Sequence, residues 1–284
     1  VTRTIGIVSP GAMGSALGRA WAAGGARVVT TVAGRSPRTR DLAHGLELLP
    51  SLADVVAYAD VVVSVCPPAA AAEVMDDVVG ATGSDRPLLV DLNAVSPTTM
   101  TGLEQRARSA GLDLVDGSIS GGPPRPGGDT IVYLSGTRAR EVADLAGDGI
   151  RATVVGDEVG RASAVKMCTA SVYKGTTAVW AQALQTAYAL GVLDVVLADL
   201  AEEHPDQVAA AGRRIAVATS KADRFVGEMD QIAATQGAAG ASPELFAGMA
   251  AVYARLAATD LAAFPPEQAA DLADLADVLR RLSP

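Results

Sequence analysis

The sequence predicts an α/β domain followed by an all-helical one, joined by one long helix. Three observations carry this reading. From residue 4 to residue 155, short apolar runs alternate with helical patterns, as in a parallel sheet covered on both faces. Residues 156–191 then form a proline-free stretch rich in Ala, Val, Leu, Lys, Met and Gln, all compatible with a long helix. Beyond it the sequence reads only as helix, with helices expected over residues 193–203, 205–219 and 242–258 and a last one over 266–282. The domain boundary is therefore expected at Gly156, giving domains 1–156 and 157–284, and 284 residues suffice for two cores.

The first expected strand is residues 4–9 (TIGIVS), followed by the glycine turn PGAMG and a helix ending at Gly24 and Gly25. Strand, glycine turn and helix open a dinucleotide-binding βαβ unit, the start of a Rossmann-type doubly wound sheet. The spacing is S-x-G-x-x-G, with Ser9 at the usual first glycine, then Gly11 and Gly14. Gly11 would admit a pyrophosphate, Gly14 would let helix pack on strand, and the helix N-terminus would offer its amides to phosphate. The alternative is an ordinary tight turn.

The second strand, residues 27–33, runs into GRSPRTR. An NAD site usually has an acidic residue here for the ribose hydroxyls, whereas this chain offers Arg35, Ser36, Arg38 and Arg40. Guanidinium and hydroxyl donors match a dianionic 2′-phosphate, so NADP(H) is expected over NAD(H). Otherwise the segment is a solvated basic turn.

Residues 60–66 (DVVVSVC) make a central strand that ends at Cys66 and Pro67, on the carboxyl edge where a cofactor lies. Residues 87–92 lead to Asn93, which either contacts nicotinamide or substrate or serves as a turn residue. A strand at residues 112–115 precedes the expected loop DGSISGGPPRPGG, in which Ser120, Gly121 and Gly122 could present a hydroxyl and amides to a carboxylate. Strands at residues 130–135 and 152–155 complete the sheet. On the long helix, Ser163, Lys166, Thr169 and Tyr173 are spaced by three or four and so share a face. That face is either an active-site wall or an ordinary surface with a snorkelling lysine.

Composition excludes several classes. Lys+Arg number 23 against 32 Asp+Glu, a net charge of −9 that argues against nucleic acid or an anionic membrane as partner. Cys66 and Cys168 form no disulfide framework or zinc spacing, and neither His44 nor His204 lies where a general base is needed. No metal site is expected. The longest apolar run, residues 61–72, is too short to span a bilayer, and no basic-then-apolar leader opens the sequence, so a cytoplasmic location is expected.

The glycine fingerprint, the strand-end Asp91-Leu92-Asn93, DGSISGG and GRASAVK follow one another in an order that resembles the 3-hydroxyacid dehydrogenase superfamily. That superfamily includes 6-phosphogluconate and 3-hydroxyisobutyrate dehydrogenases and extends to the imine reductases. The order holds to about Ala189. Beyond it, RFVGEMDQIAATQGAAGASPE looks like a variant helical domain of phosphogluconate-dehydrogenase-like proteins. The resemblance implies that the cofactor lies along Gly11, Ala12, Met13 and Gly14. The family's D-x-P-V-S-G-G stands here as DGSISGG, so Ser120, Gly121 and Gly122 inherit the substrate carboxylate. The lysine of its K-x-x-N motif falls at Lys166, with Thr169 where the family has asparagine, so the substrates of known members do not carry over. Imine reductases usually have Asp or Tyr at the lysine position, so Lys166 favours carbonyl chemistry. Tyr173 is an alternative acid.

The expected function is an NADPH-dependent oxidoreductase that moves hydride between nicotinamide and a carbonyl or hydroxyl carbon of a small carboxylate- or phosphate-bearing acid. Lys166 would be its general acid/base, at a pKa lowered by burial, with Ser120 and Asn93 orienting the substrate. An imine reductase or reductive aminase on the same scaffold is the alternative, as is a non-catalytic NADP-binding protein, given Ser9 and Thr169. Arg125 and Arg224 either meet a second anionic group or lie on the surface. A homodimer is expected, with the long helix of each chain packed on its partner.

Overall fold

The computed structural model describes residues 3–84, 86–145 and 147–282. The chain divides into two compact units, one reaching Met167 and the other starting at Cys168.

In the first unit, strands and helices alternate: β1 (Thr4–Val8), α1 (Ala12–Ala23), β2 (Arg27–Thr30), α2 (Pro37–Leu42), β3 (Glu47–Leu48), α3 (Leu52–Tyr58), β4 (Val61–Ser64), α4 (Ala71–Ala81), β5 (Leu88–Asp91), α5 (Pro97–Ser109), β6 (Leu114–Ser120), β7 (Thr130–Ser135), α6 (Ala139–Ala143) and β8 (Ile150–Val154). The strands form one sheet in the order β3-β2-β1-β4-β5-β6-β7-β8. All neighbours are parallel except β6 and β7, which pair antiparallel with Asp116 opposite Ser135 and Ser120 opposite Ile131. Order reverses between β1 and β4, the switch point at which doubly wound sheets bind ligands.

Strand periodicity explains the two cores. Val61 and Val63 face one side of the sheet with Ile5, Ile7 and α1's Leu17 and Trp21. Val62 faces the other with Val8, Leu89, Met75 and Met100. With both faces covered, apolar residues occupy successive positions.

Two strand expectations change. The two-residue edge strand β3 has exposed side chains and no apolar run to announce it. More consequentially, Asp116–Ser120, expected as loop, is strand. Asp116 and Ser118 are buried in bonds to residues 160–163, and a Cβ on Gly117 would collide with Leu92, so composition that reads as loop belongs to a packed seam.

The long helix α7 (Arg161–Ala189) starts later than residue 156, after Gly160 at φ +102°. The division between units falls inside α7, whereas the sequence places it at Gly156, because the helix's first turn is bonded to β6 and β7. In the second unit, the rest of α7 is followed by α8 (Leu193–Glu203), α9 (Pro205–Thr219), α10 (Ala222–Ala238), α11 (Glu244–Ala257), α12 (Pro266–Ala269) and α13 (Leu275–Leu282). The last two replace the single helix expected over residues 266–282. Its middle must bend back onto α9, where a Cβ on Gly212 would meet the Ala273 carbonyl at 2.5 Å. Met229, Ile232, Tyr253, Ile215 and Val278 fill this unit's core. Among the described residues no helix is long and apolar enough to cross a membrane.

Candidate active site

The glycine turn is built as a phosphate site requires. Gly11 is the N-cap of α1, and no side chain caps that helix, so its first-turn amides await an acceptor. A Cβ on Gly11 would meet nothing within 4 Å, leaving an open approach to the backbone. A Cβ on Gly14 would lie 2.7 Å from the Ser9 carbonyl oxygen, so only glycine lets α1 sit this close to β1. Ala12 and Met13 form the first turn between them. These features fit a dinucleotide pyrophosphate.

Beside the turn is a cavity of about 240 Å³ lined by Ser9, Gly11, Arg35, Thr39, Cys66 and Pro67, among others. Arg35 Nη2 donates to Ser9 Oγ at 3.2 Å. Ser36 and Arg38 do not line it: the Ser36 hydroxyl accepts from the Thr39 amide as N-cap of α2, and Arg38 is exposed. Thr39 enters in their place, signalled in sequence only by its position one turn beyond the cap.

Asn93 departs from the expected contact role. It is 2% exposed. Its Nδ2 donates to Ser64 Oγ at 3.0 Å and Asp91 Oδ2 at 2.7 Å, while its Oδ1 accepts from the Cys66 amide at 2.6 Å. Both side-chain donors are thereby used within the protein. Asn93 ties the ends of β4 and β5 together and fixes where Cys66 and Pro67 turn, acting beneath the edge rather than on it. Asp91 is fully buried, which pushes its carboxyl up to about 7; Asn93's backbone N–H opposes the rise and Asp116's charge adds to it. Burial likewise raises the Cys66 thiol to about 11, so it is not a thiolate nucleophile at neutral pH.

The second cluster lies where β6 meets α7. Asp116 Oδ2 accepts from the Gly160 amide (2.8 Å), the Ser163 amide (3.1 Å) and Ser135 Oγ (2.9 Å), and its Oδ1 accepts from Ser163 Oγ at 2.7 Å. Ser118 Oγ donates to the Ala162 carbonyl at 2.7 Å, and Ser135 Oγ accepts from the Ala162 amide at 3.0 Å. The helix start is thus clamped by strand side chains. Sequence spacing grouped Ser163 with Lys166, yet its hydroxyl is spent in this clamp. One turn on, Lys166 Nζ donates to the Ile119 carbonyl at 2.6 Å and is half-buried.

Ile119 adjoins Ser120, the last residue of β6, whose hydroxyl has no hydrogen-bond partner among the described residues. Gly121, at φ +105°, and Gly122 follow on the surface. In the second unit, Thr169 is half-buried and Tyr173 is 65% exposed. Arg125 is exposed in the β6–β7 loop. Arg224 is paired at 3.1 Å with the buried Glu228, which also meets Lys174, so its charge is engaged inside the helical unit.

A glycine turn at a switch point, an uncapped helix N-terminus and a lysine held at the end of β6, two strands beyond β4, define an NAD(P)-binding domain on a dehydrogenase-like scaffold. The chain belongs to the family sharing the NAD-binding domain of 6-phosphogluconate dehydrogenase, which matches residues 4–146; residues 187–256 match a domain of unknown function, DUF1932. It is 30% identical over 178 residues to an uncharacterised 28.5 kDa protein encoded in the 7S RNA 5′ region of Methanothermus fervidus, covering 62% of this chain and 67% of that one. A conserved protein of unknown function, described as structurally similar to 3-hydroxyacid dehydrogenases, is 28% identical with a TM-score of 0.66, over 89% of this chain and 96% of that one. The Mycobacterium tuberculosis 3-hydroxyisobutyrate dehydrogenase, solved with L-serine, shares the fold at a TM-score of 0.67 and 22% identity, over 99% of each chain. Imine reductases share it too.

Proposed function

We propose that this protein is an NADPH-dependent oxidoreductase that interconverts a carbonyl and a hydroxyl on a small acid. The observation that carries the reading is Lys166, bonded to the Ile119 carbonyl one residue before Ser120. It supports a general acid/base beside a group able to hold a carboxylate. When bound, the nicotinamide supplies or accepts the hydride. Gly11, Ala12, Met13 and Gly14 would hold the pyrophosphate, and Arg35 the 2′-phosphate. Lys166 Nζ gives a proton to the carbonyl oxygen in reduction and takes it back in oxidation; such transfer typically contributes about 10² to 10⁴ in rate. Its bond to Ile119 aims the ammonium along the end of β6. Ser120 Oγ and the amides of Gly121 and Gly122 orient the acid group.

The test is a thermal-shift comparison of NADPH and NADH, followed by NADPH oxidation with a panel of small carbonyl acids. The expected result is a larger stabilisation by NADPH and turnover with at least one acid. Turnover that requires an added amine would move the assignment to imine reduction. Binding without turnover on either substrate class would make the protein a nucleotide-binding one only.

We also propose that the chain works as a homodimer. Val179, Leu190, Val192 and Leu245 line an apolar groove of about 730 Å³ in the helical unit. Of these, Leu190 is 71%, Leu245 59% and Val179 56% exposed, more apolar surface than a soluble monomer usually leaves together.

A further inference from the structure

We propose that Ser9 is a specificity-determining residue, holding the Arg35 guanidinium in place for a phosphate on the 2′ position of the cofactor's adenosine. The proposal rests on the NADPH reading above and names how this chain achieves it. Ser9 occupies the first glycine position of the fingerprint and adopts φ +70°, the only positive φ at a non-glycine among the described residues. Such a conformation is strained for a side-chain-bearing residue, and glycine would relieve it. The strain therefore needs a compensating contact.

Arg35 supplies that contact. Ser9 Oγ accepts from Arg35 Nη2, reaching across the turn from the end of β2 to the end of β1. Arg35 is presented by a tight turn of its own, with Gly34 at φ +69° and the Arg35 amide bonded to the Val32 carbonyl at 3.1 Å. Both side chains line the same cavity, and none of the residues that line it is acidic. Its one full charge is positive.

A guanidinium is a planar fork, and fixing one N–H sets the plane in which the others point. A dianionic phosphomonoester answers that fork with charge-assisted bonds. A ribose hydroxyl, as in NADH, leaves it half-buried against a neutral partner. Ser9 acts through Arg35, so it is a positioning residue. Its effect should fall on the 2′-phosphate and spare the rest of the nucleotide.

The experiment uses the full chain in four forms: unaltered, Ser9→Gly, Ser9→Ala and Arg35→Ala. Dissociation constants are measured for NADPH, NADH, 2′,5′-ADP and 5′-AMP, together with melting temperatures. Both Ser9 variants should weaken NADPH and 2′,5′-ADP by about tenfold and leave NADH and 5′-AMP within about twofold. Ser9→Gly should melt higher than Ser9→Ala, because only glycine removes the backbone strain. Arg35→Ala should abolish the discrimination.

If Arg35→Ala loses discrimination while both Ser9 variants keep it, the Ser9 role is rejected and the NADPH reading stands. Equal weakening of NADPH and NADH in the Ser9 variants also rejects it, reducing Ser9 to part of the turn. If the unaltered protein does not discriminate, or Arg35→Ala leaves discrimination intact, the NADPH reading fails and the proposal with it.

Discussion

Asp116 and Ser163, 47 residues apart, meet twice: the Ser163 hydroxyl and its backbone amide both donate to one buried carboxylate. That carboxylate also takes the Gly160 amide and the Ser135 hydroxyl, so one side chain caps α7 and ties it to β6 and β7. Asp116→Ala would leave four buried donors without their acceptor. We expect a loss of about 3 kcal/mol or more in unfolding free energy, and a fall in turnover because Lys166 sits one turn beyond the clamp. Urea denaturation gives the first quantity and steady-state kinetics the second. An unchanged midpoint would show that the clamp is dispensable.

Lys166→Met keeps the stem of the side chain and removes the ammonium. The expected effect is a drop of about 10² to 10⁴ in kcat, with NADPH affinity changed by no more than about twofold. Isothermal titration separates this from loss of cofactor binding. Turnover at the unaltered level would remove Lys166 from the chemistry.

The two glycines of the turn should behave differently when each becomes alanine. Gly14→Ala places a methyl against the Ser9 carbonyl and should cost about 1–3 kcal/mol of stability. Gly11→Ala has open space around it and should change stability by no more than about 0.5 kcal/mol. Its methyl would instead stand where a pyrophosphate approaches, so NADPH binding should weaken about tenfold or more. Thermal denaturation and nucleotide titration on both variants test the contrast.

Asp91 links stability to pH. Its folded pKa is about 7, against an ordinary 3.8. Between those values the unfolded chain has released this proton and the folded chain still holds it. Stability is therefore greatest below about pH 4 with respect to this group, and is lost as pH rises through 7. The loss is on the order of 1–4 kcal/mol. Through this group, denaturation midpoints should fall between about pH 4 and pH 7 and level off above, and Asp91→Asn should flatten that slope. An equally steep slope in the variant would place the titration elsewhere.

Glutamate at Leu190 or Leu245, both in the apolar groove, would put charge into the contact between copies. Sedimentation of the unaltered protein at micromolar concentration should give a dimer, and either substitution a folded monomer. A monomeric unaltered protein would count against the dimer.

The amino-acid sequence by itself determined the alternation of apolar strands with helices, apart from the edge strand β3 and most of β6, together with the glycine turn at Gly11 and Gly14 and the passage into an all-helical region. The ends of α8, α9 and β7 were legible because burial periodicity, Pro205 and the turn residues are local signals. What only tertiary structure decided is which partner each polar side chain takes. Asn93 and Ser163 read as groups that could face a ligand, and both are consumed inside the protein. Asp116 and Ser118 read as loop and became the seam between sheet and helix. These outcomes depend on partners up to 47 residues away, and a buried hydrogen bond leaves no periodic trace in the chain that forms it.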